Sequence, residues 1–177
     1  MRVQFSKRLE PDGTFSGRSF PNLKVNSPIS WKKHCIGCGV RLDALILAVR
    51  SLDIGFGDEV IVAGNTYIAT VLGITENGAT PVFVDCNEYY EIDETLIENA
   101  ITQRTKAVLV TNLYGQCCNL PVIRQICDRN NIKLIEDCAQ SHGAHFGNLK
   151  GGAVGDVSCF SFYRQNRWVH LAMAARS

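Results

Sequence analysis

Short apolar runs alternate with stretches of helical period from Leu42 to Phe162, and few folds accommodate that alternation. Residues 59–63, 80–85, 106–111, 132–136 and 156–162 are rich in Val, Ile, Leu and Phe and bounded by Gly, Asn or Asp, as buried strands are. Between them, Leu42, Leu45, Ile46, Val49 and Leu52 fall on one helical face, which Gly55 and Gly57 end. Residues 66–76 read as a second helix closed by Asn77 and Gly78, Asp93 can cap a third running through residue 100, and 120–129 form a fourth. Strands centred about 25 residues apart with helices between them make parallel βαβ units. The expected fold class is α/β, a mostly parallel sheet flanked by helices.

Composition narrows the function classes. A chain of 177 residues, 46% hydrophobic and 20% charged, suits one globular unit. Its 18 basic and 17 acidic side chains leave no net field to favour nucleic acid or an anionic membrane. No apolar stretch approaches the length of a membrane span, and the first eight residues lack the apolar core of a signal peptide, so a cytoplasmic location is expected. Of the eight cysteines, Cys35 and Cys38 are spaced C-x-x-C, but Cys117 and Cys118 are adjacent, which is not a second zinc-binding pair. Reduced thiols without a metal are the expectation. Residues 1–31 carry Pro11, Pro21, Pro28, Gly13 and Gly17 with no period of 2 or 3.6 and read as an irregular arm.

Three places can carry chemistry. Asp137 ends the run Ile-Lys-Leu-Ile-Glu-Asp, and in an open α/β sheet ligands bind beyond the carboxyl ends of the strands. The plainer reading is an acid that caps a turn. Gly37-Cys38-Gly39 opens the first helix, where unpaired amides and the helix dipole suit a phosphate; a loop that merely starts a helix explains it as well. A dinucleotide fingerprint would need a strand leading in and a third glycine, and Leu42 stands at that third position. Tyr67 follows the next strand and could stack on a flat ligand or simply pack. Ser161 is a hydroxyl inside an apolar strand and needs a partner there.

Taken in order, Gly-x-x-Leu-Asp-Ala-Leu, Asn-Thr-Tyr-Ile-Ala-Thr, Gly-Ala-Thr-Pro-Val-Phe-Val-Asp, Leu-Tyr-Gly-Gln, Ile-Glu-Asp-Cys-Ala-Gln-Ser-His-Gly-Ala and Gly-Asp-Val-Ser-Cys-Phe-Ser-Phe-Tyr resemble the nucleotide-sugar aminotransferases of the DegT/DnrJ type, which depend on pyridoxal 5′-phosphate (PLP). The resemblance implies that residues 32–163 are part of the PLP-binding large domain of the aspartate-aminotransferase-like fold, with the C-terminal small domain absent. It also assigns roles. Asp137 would pair with the pyridinium nitrogen, Gln140 with the ring hydroxyl, and Tyr67 would stack on the ring. The amides of Arg41 and Leu42, with the Ser161 hydroxyl, would hold the phosphate. Arg41 departs from the family's usual small residue and either crowds that loop or adds a phosphate contact; His142 either lines the sugar pocket or fixes its loop. The implied partners are a keto-deoxy sugar on a carrier nucleotide, of the 3-keto branch, L-glutamate as amino donor, and a second copy of the chain, in the making of amino sugars for O-antigen and other surface polysaccharide.

One implied residue is missing. The family's Schiff-base lysine should follow the last strand in Ser-Phe-Tyr-Pro-Thr-Lys, but the chain reads Ser161-Phe162-Tyr163-Arg164-Gln165-Asn166, with Asn166 in the lysine's place. Back-translation offers a cause. Codons for YPTKPVGAFGDGGAV, a string typical of the family, give the observed tail from Tyr163 when one cytosine is removed after the first codon. Residues from Pro11 to Lys32 likewise read, in the neighbouring frame, as a family-like helical segment. Residues 164–177 are therefore expected to be an aberrant, out-of-frame tail, and the chain an inactive remnant. The alternative is a non-catalytic protein that binds PLP or a sugar nucleotide.

Overall fold

The computed structural model describes residues 34–161 and the strand 172–176. Seven strands form one sheet: β1 (His34–Cys38), β2 (Glu59–Ala63), β3 (Thr80–Val84), β4 (Thr105–Thr111), β5 (Lys133–Asp137), β8 (Val157–Ser161) and β9 (Ala172–Arg176), in the order β1-β9-β8-β5-β4-β2-β3. A small hairpin, β6 (His145–Phe146) and β7 (Leu149–Lys150), stands apart from it. The β3-β2, β2-β4, β4-β5 and β5-β8 pairs are parallel, and only β9 runs against its neighbours, β8 and β1.

Four of the crossovers carry a helix: α1 (Arg41–Arg50) between β1 and β2, α2 (Ile68–Thr75) between β2 and β3, α3 (Glu94–Ala100) between β3 and β4, and α4 (Leu120–Arg129) between β4 and β5, while the β5–β8 connection carries the β6–β7 hairpin. The chain steps from β2 outward to β3, then doubles back past β2 to β4 and β5. Right-handed crossovers in opposite directions must lie on opposite faces. Accordingly α1 and α2 cover one face, packed on Val60, Val62, Leu109, Ile135 and Val157. The other face, under α3 and α4, carries Ile61, Val108, Val110 and Leu134. Successive residues of each strand thus point into different cores, which is why these strands read as continuous apolar runs.

The expected elements are present with small shifts. The 59–63 strand and the 120–129 helix keep their bounds, and Asp93 caps α3 by accepting the Thr95 amide at 2.9 Å. The second helix starts at Ile68 rather than residue 66, because Thr66 donates its amide to Ala63 in a turn that ends with Tyr67 extended. On α1 the fully buried side chains are Ala44, Leu45, Ala48 and Val49, and the expected Leu42 and Ile46 are only half-buried. The larger difference is β1. Gly37 and Cys38, taken for a loop, belong to a strand whose ladder is supplied by the distant β9, so no local pattern announces it. The 164–177 tail contributes β9 to the sheet, whereas the 1–31 arm and Asn166 lie outside the described residues. Among the described residues, Cys38, Cys86, Cys117, Cys118, Cys127, Cys138 and Cys159 are reduced thiols, and no group of three or more His, Cys, Asp or Glu side chains is placed to hold a metal. No described helix is long and apolar enough to cross a membrane.

Candidate functional site

The carboxyl ends of β2, β4, β5 and β8 open on one edge of the sheet, and the site is built from the residues that follow them. Asp137 is the last residue of β5 and is completely buried. Strand alternation turns its side chain to the same face as Ile135, toward α1 and α2, and turns Glu136 to the other. Its Oδ2 accepts the Thr70 hydroxyl at 2.9 Å and lies 3.0 Å from Arg41 Nη2; its Oδ1 accepts the Ala139 amide at 3.2 Å. Burial pushes the Asp137 carboxyl above its ordinary value, and the Arg41 charge, the Thr70 hydroxyl and the Ala139 amide oppose that rise.

Thr70, on the first turn of α2, is a second buried hub. It donates to Asp137 and accepts from Arg41 Nη2 at 3.2 Å and from the Thr66 hydroxyl at 3.0 Å. The Thr66 hydroxyl in turn lies 2.7 Å from that of Thr111 at the end of β4. None of these three threonines was singled out from sequence. Their only signal is the i, i+4 spacing of Thr66 and Thr70 around Tyr67, which puts two hydroxyls on one side of a helix start.

Tyr67 is the residue before α2, with 57% of its surface exposed. Its ring carries the Arg41 guanidinium, whose central carbon lies 4.9 Å from the ring centroid. Arg41 is the first residue of α1, so its amide and that of Leu42 are in the turn that no helical carbonyl reaches. The guanidinium does not extend toward those amides. It turns inward to Asp137, Thr70 and Tyr67, and its Nε is buried without a partner. The Arg41 side chain is thus folded into the crevice.

The remaining expected residues ring this centre. Gln140 is exposed beyond β5, with its Oε1 accepting the Tyr114 amide at 3.1 Å. Ser161 is buried at the end of β8, next to β5 in the sheet, where Cys159 pairs with Asp137. His142 sits on the loop after β5, its ring 5.7 Å from that of Phe160; burial lowers its pKa from the ordinary histidine value. Asp137, Arg41 and Tyr67 are therefore in direct mutual reach through Arg41, Gln140 follows Asp137 on its loop, and Ser161 lies two residues past Asp137's pairing partner.

Sequence reading also passed over Glu136. Fully buried on the far face, its carboxylate accepts the amides of Gly152 at 2.7 Å, Val154 at 3.0 Å and Gly155 at 2.6 Å, and the Asn112 side-chain amide at 3.3 Å. It pins the loop between β7 and β8. A run of apolar residues ending in Glu-Asp, one acid per face, was the available sign.

Known proteins share this fold. The transaminase of Aneurinibacillus thermoaerophilus for dTDP-3-amino-3,6-dideoxy-alpha-D-galactopyranose is 53% identical over 131 residues, 73% of this chain and 36% of that protein. S. venezuelae DesV superposes with a TM-score of 0.78 at 40% identity, covering 82% of this chain and 40% of DesV. Bacillus subtilis NtdA, solved with its bound cofactor PMP, the amine form of PLP, gives 0.76 at 32% identity over 82% of this chain and 33% of NtdA. The chain thus spans well under half the length of these relatives, over the fold type I portion they share. Residues 28–169 match the DegT/DnrJ/EryC1/StrS aminotransferase family, and the chain belongs to that family.

Proposed function

We propose that this chain carries the cofactor-ring half of a PLP-dependent nucleotide-sugar aminotransferase. The observation that bears most weight is the guanidinium held by Asp137, Thr70 and Tyr67. It is a flat cation with one nitrogen against a buried acid and its central carbon over an aromatic ring, and a protonated pyridine asks for the same two partners. The donor set therefore matches the cofactor ring in kind. Asp137 would hold the proton on the ring nitrogen, and Tyr67 would cover one ring face. Gln140, its Oε1 engaged by Tyr114, keeps its amide N–H groups for the ring hydroxyl. The first-turn amides of Arg41 and Leu42, with the Ser161 hydroxyl, would take the phosphate. When bound, the cofactor supplies an electron sink for removing a proton next to nitrogen.

A nucleotide-linked sugar as substrate follows the relatives; the keto-deoxy form, L-glutamate as donor and a homodimer as the working form are what the family resemblance adds. With Asn166 where the family has lysine, this chain holds the cofactor without a covalent bond and transfers no amino group. We attribute that residue, and the arm of residues 1–31, to changes of reading frame, which the nucleotide sequence across codons 28–36 and 160–168 tests directly. For the cofactor reading, PMP titrated into the purified chain should bind, with affinity falling about tenfold or more in Asp137→Asn. With PLP, borohydride should leave the protein unlabelled. Binding indifferent to Asp137, or a stoichiometric reduced adduct, would overturn the reading.

A further inference from the structure

Arg41 stands inside the cradle just described. Its Nη2 is 3.0 Å from Asp137 Oδ2 and donates to Thr70 Oγ1 at 3.2 Å, while its guanidinium carbon lies 4.9 Å from the centroid of the Tyr67 ring. Those are the acid and the aromatic face that a pyridoxal-type ring would need. They cannot serve both occupants, because Asp137 offers one oxygen to the hydroxyl-and-cation side and commits the other to the Ala139 amide. The arginine side chain is only 14% exposed and the acid not at all, so this is a seated side chain and not one draped over the surface.

We infer that Arg41 is an internal occupant of the ring site, a planar cation built into the chain that excludes the cofactor ring until it swings out. The inference rests on the cofactor reading above and adds to it a competition. Leaving costs Arg41 its ion pair, its hydroxyl contact and its ring contact together. Its departure also strips the buried Asp137 of its neutralising charge unless another cation arrives. Cofactor and side chain therefore exchange one for one, and the apparent affinity for the ring is the intrinsic affinity multiplied by the fraction of molecules with Arg41 out.

The test is PMP binding by calorimetry to the unaltered chain, Arg41→Gly, Arg41→Gln and the double variant Arg41→Gly with Asp137→Asn. PMP needs no lysine, so the readout is independent of activity. If Arg41 is seated in about 90–99% of molecules, Arg41→Gly binds PMP about 10–100-fold more tightly than the unaltered chain. Millimolar guanidinium ion then competes with PMP in Arg41→Gly but not in the unaltered chain, whose site is already filled. Arg41→Gln keeps a polar side chain but is shorter and uncharged, so it cannot fill the ring site and should also gain affinity; it carries the test should Arg41→Gly not fold. Equal or weaker PMP binding after both replacements, with Asp137→Asn still weakening it, would make Arg41 a bystander or a cofactor ligand and sink the occupant while sparing the cradle. No PMP binding to any form, or binding unmoved by Asp137→Asn, would sink the cradle and the occupant with it.

Discussion

Three carboxylates are buried near the functional edge, and each is compensated by different means. Asp137 has a cation, a hydroxyl and one amide; Glu136 has three backbone amides and the Asn112 side chain. Glu91 has less. It accepts the Leu113 amide at 3.0 Å and the Cys118 thiol at 2.8 Å, and faces no cation in that pair of contacts. Burial consequently pushes its carboxyl from 4.5 up to about 6, against the two hydrogen bonds. An acid whose folded value is raised contributes stability in full below the unfolded value and loses it as pH climbs through the folded one. Between pH 4.5 and a little above 6 the chain should therefore lose about 2 kcal/mol of stability through Glu91, a loss absent in Glu91→Gln. Urea unfolding at a series of pH values measures this; parallel curves for the two proteins would contradict it.

At the scale of elements, the site depends on how closely α1 and α2 approach, since α1 supplies Arg41 and α2 brings Thr70 and follows Tyr67. Gly73 sets that approach. A Cβ added there would sit 2.7 Å from Leu45 Cβ and 3.4 Å from the Leu45 carbonyl carbon, so an alanine must push the helices apart. Gly73→Ala is expected to cost about 1–3 kcal/mol by thermal or urea unfolding, even though alanine is the better helix former. An unchanged or raised stability would show that the helix pair can absorb a methyl group. The same logic governs the loop before β8, where Gly152 adopts φ +86° and an added Cβ would fall 2.2 Å from the Phe160 ring. There Glu136 gathers three amides from a turn that only glycine can make.

For the molecule as a whole, the two cores on either side of the sheet close over most of the cysteines. Cys118, Cys127, Cys138 and Cys159 are buried, and burial pushes each thiol up, Cys127 to about 12, with nearby acids adding to the rise for Cys118, Cys138 and Cys159. Cys86, after β3, is partly exposed. In a Cys35→Ser background, an aromatic disulfide reagent near pH 8 should titrate Cys86 quickly and those four only on the timescale of unfolding. Rapid titration of all of them would mean that the sheet opens readily.

Much of this architecture was legible in the chain. Strand and helix periods, Asp93 as a cap and the acid at the end of β5 are local signals, because burial on both faces forces continuous apolar runs and right-handed crossovers leave a crevice at the strands' carboxyl ends. What was not legible depends on residues far apart in sequence. β1 exists because β9 pairs with it, Ile36 facing Ala174 across 138 positions of chain, and the Thr66, Thr70 and Thr111 relay exists because β4 lies beside β2.

Residue type and local period were enough to settle the fold class, the family's motifs and the acid at the end of β5. Where the Arg41 side chain goes could be known only from the folded chain. Its destination is fixed by a buried negative charge on β5 and an aromatic face ahead of α2, both remote along the chain. Between buried groups the attraction of a cation for an acid is far stronger than in solvent, and the fold alone brings these two together.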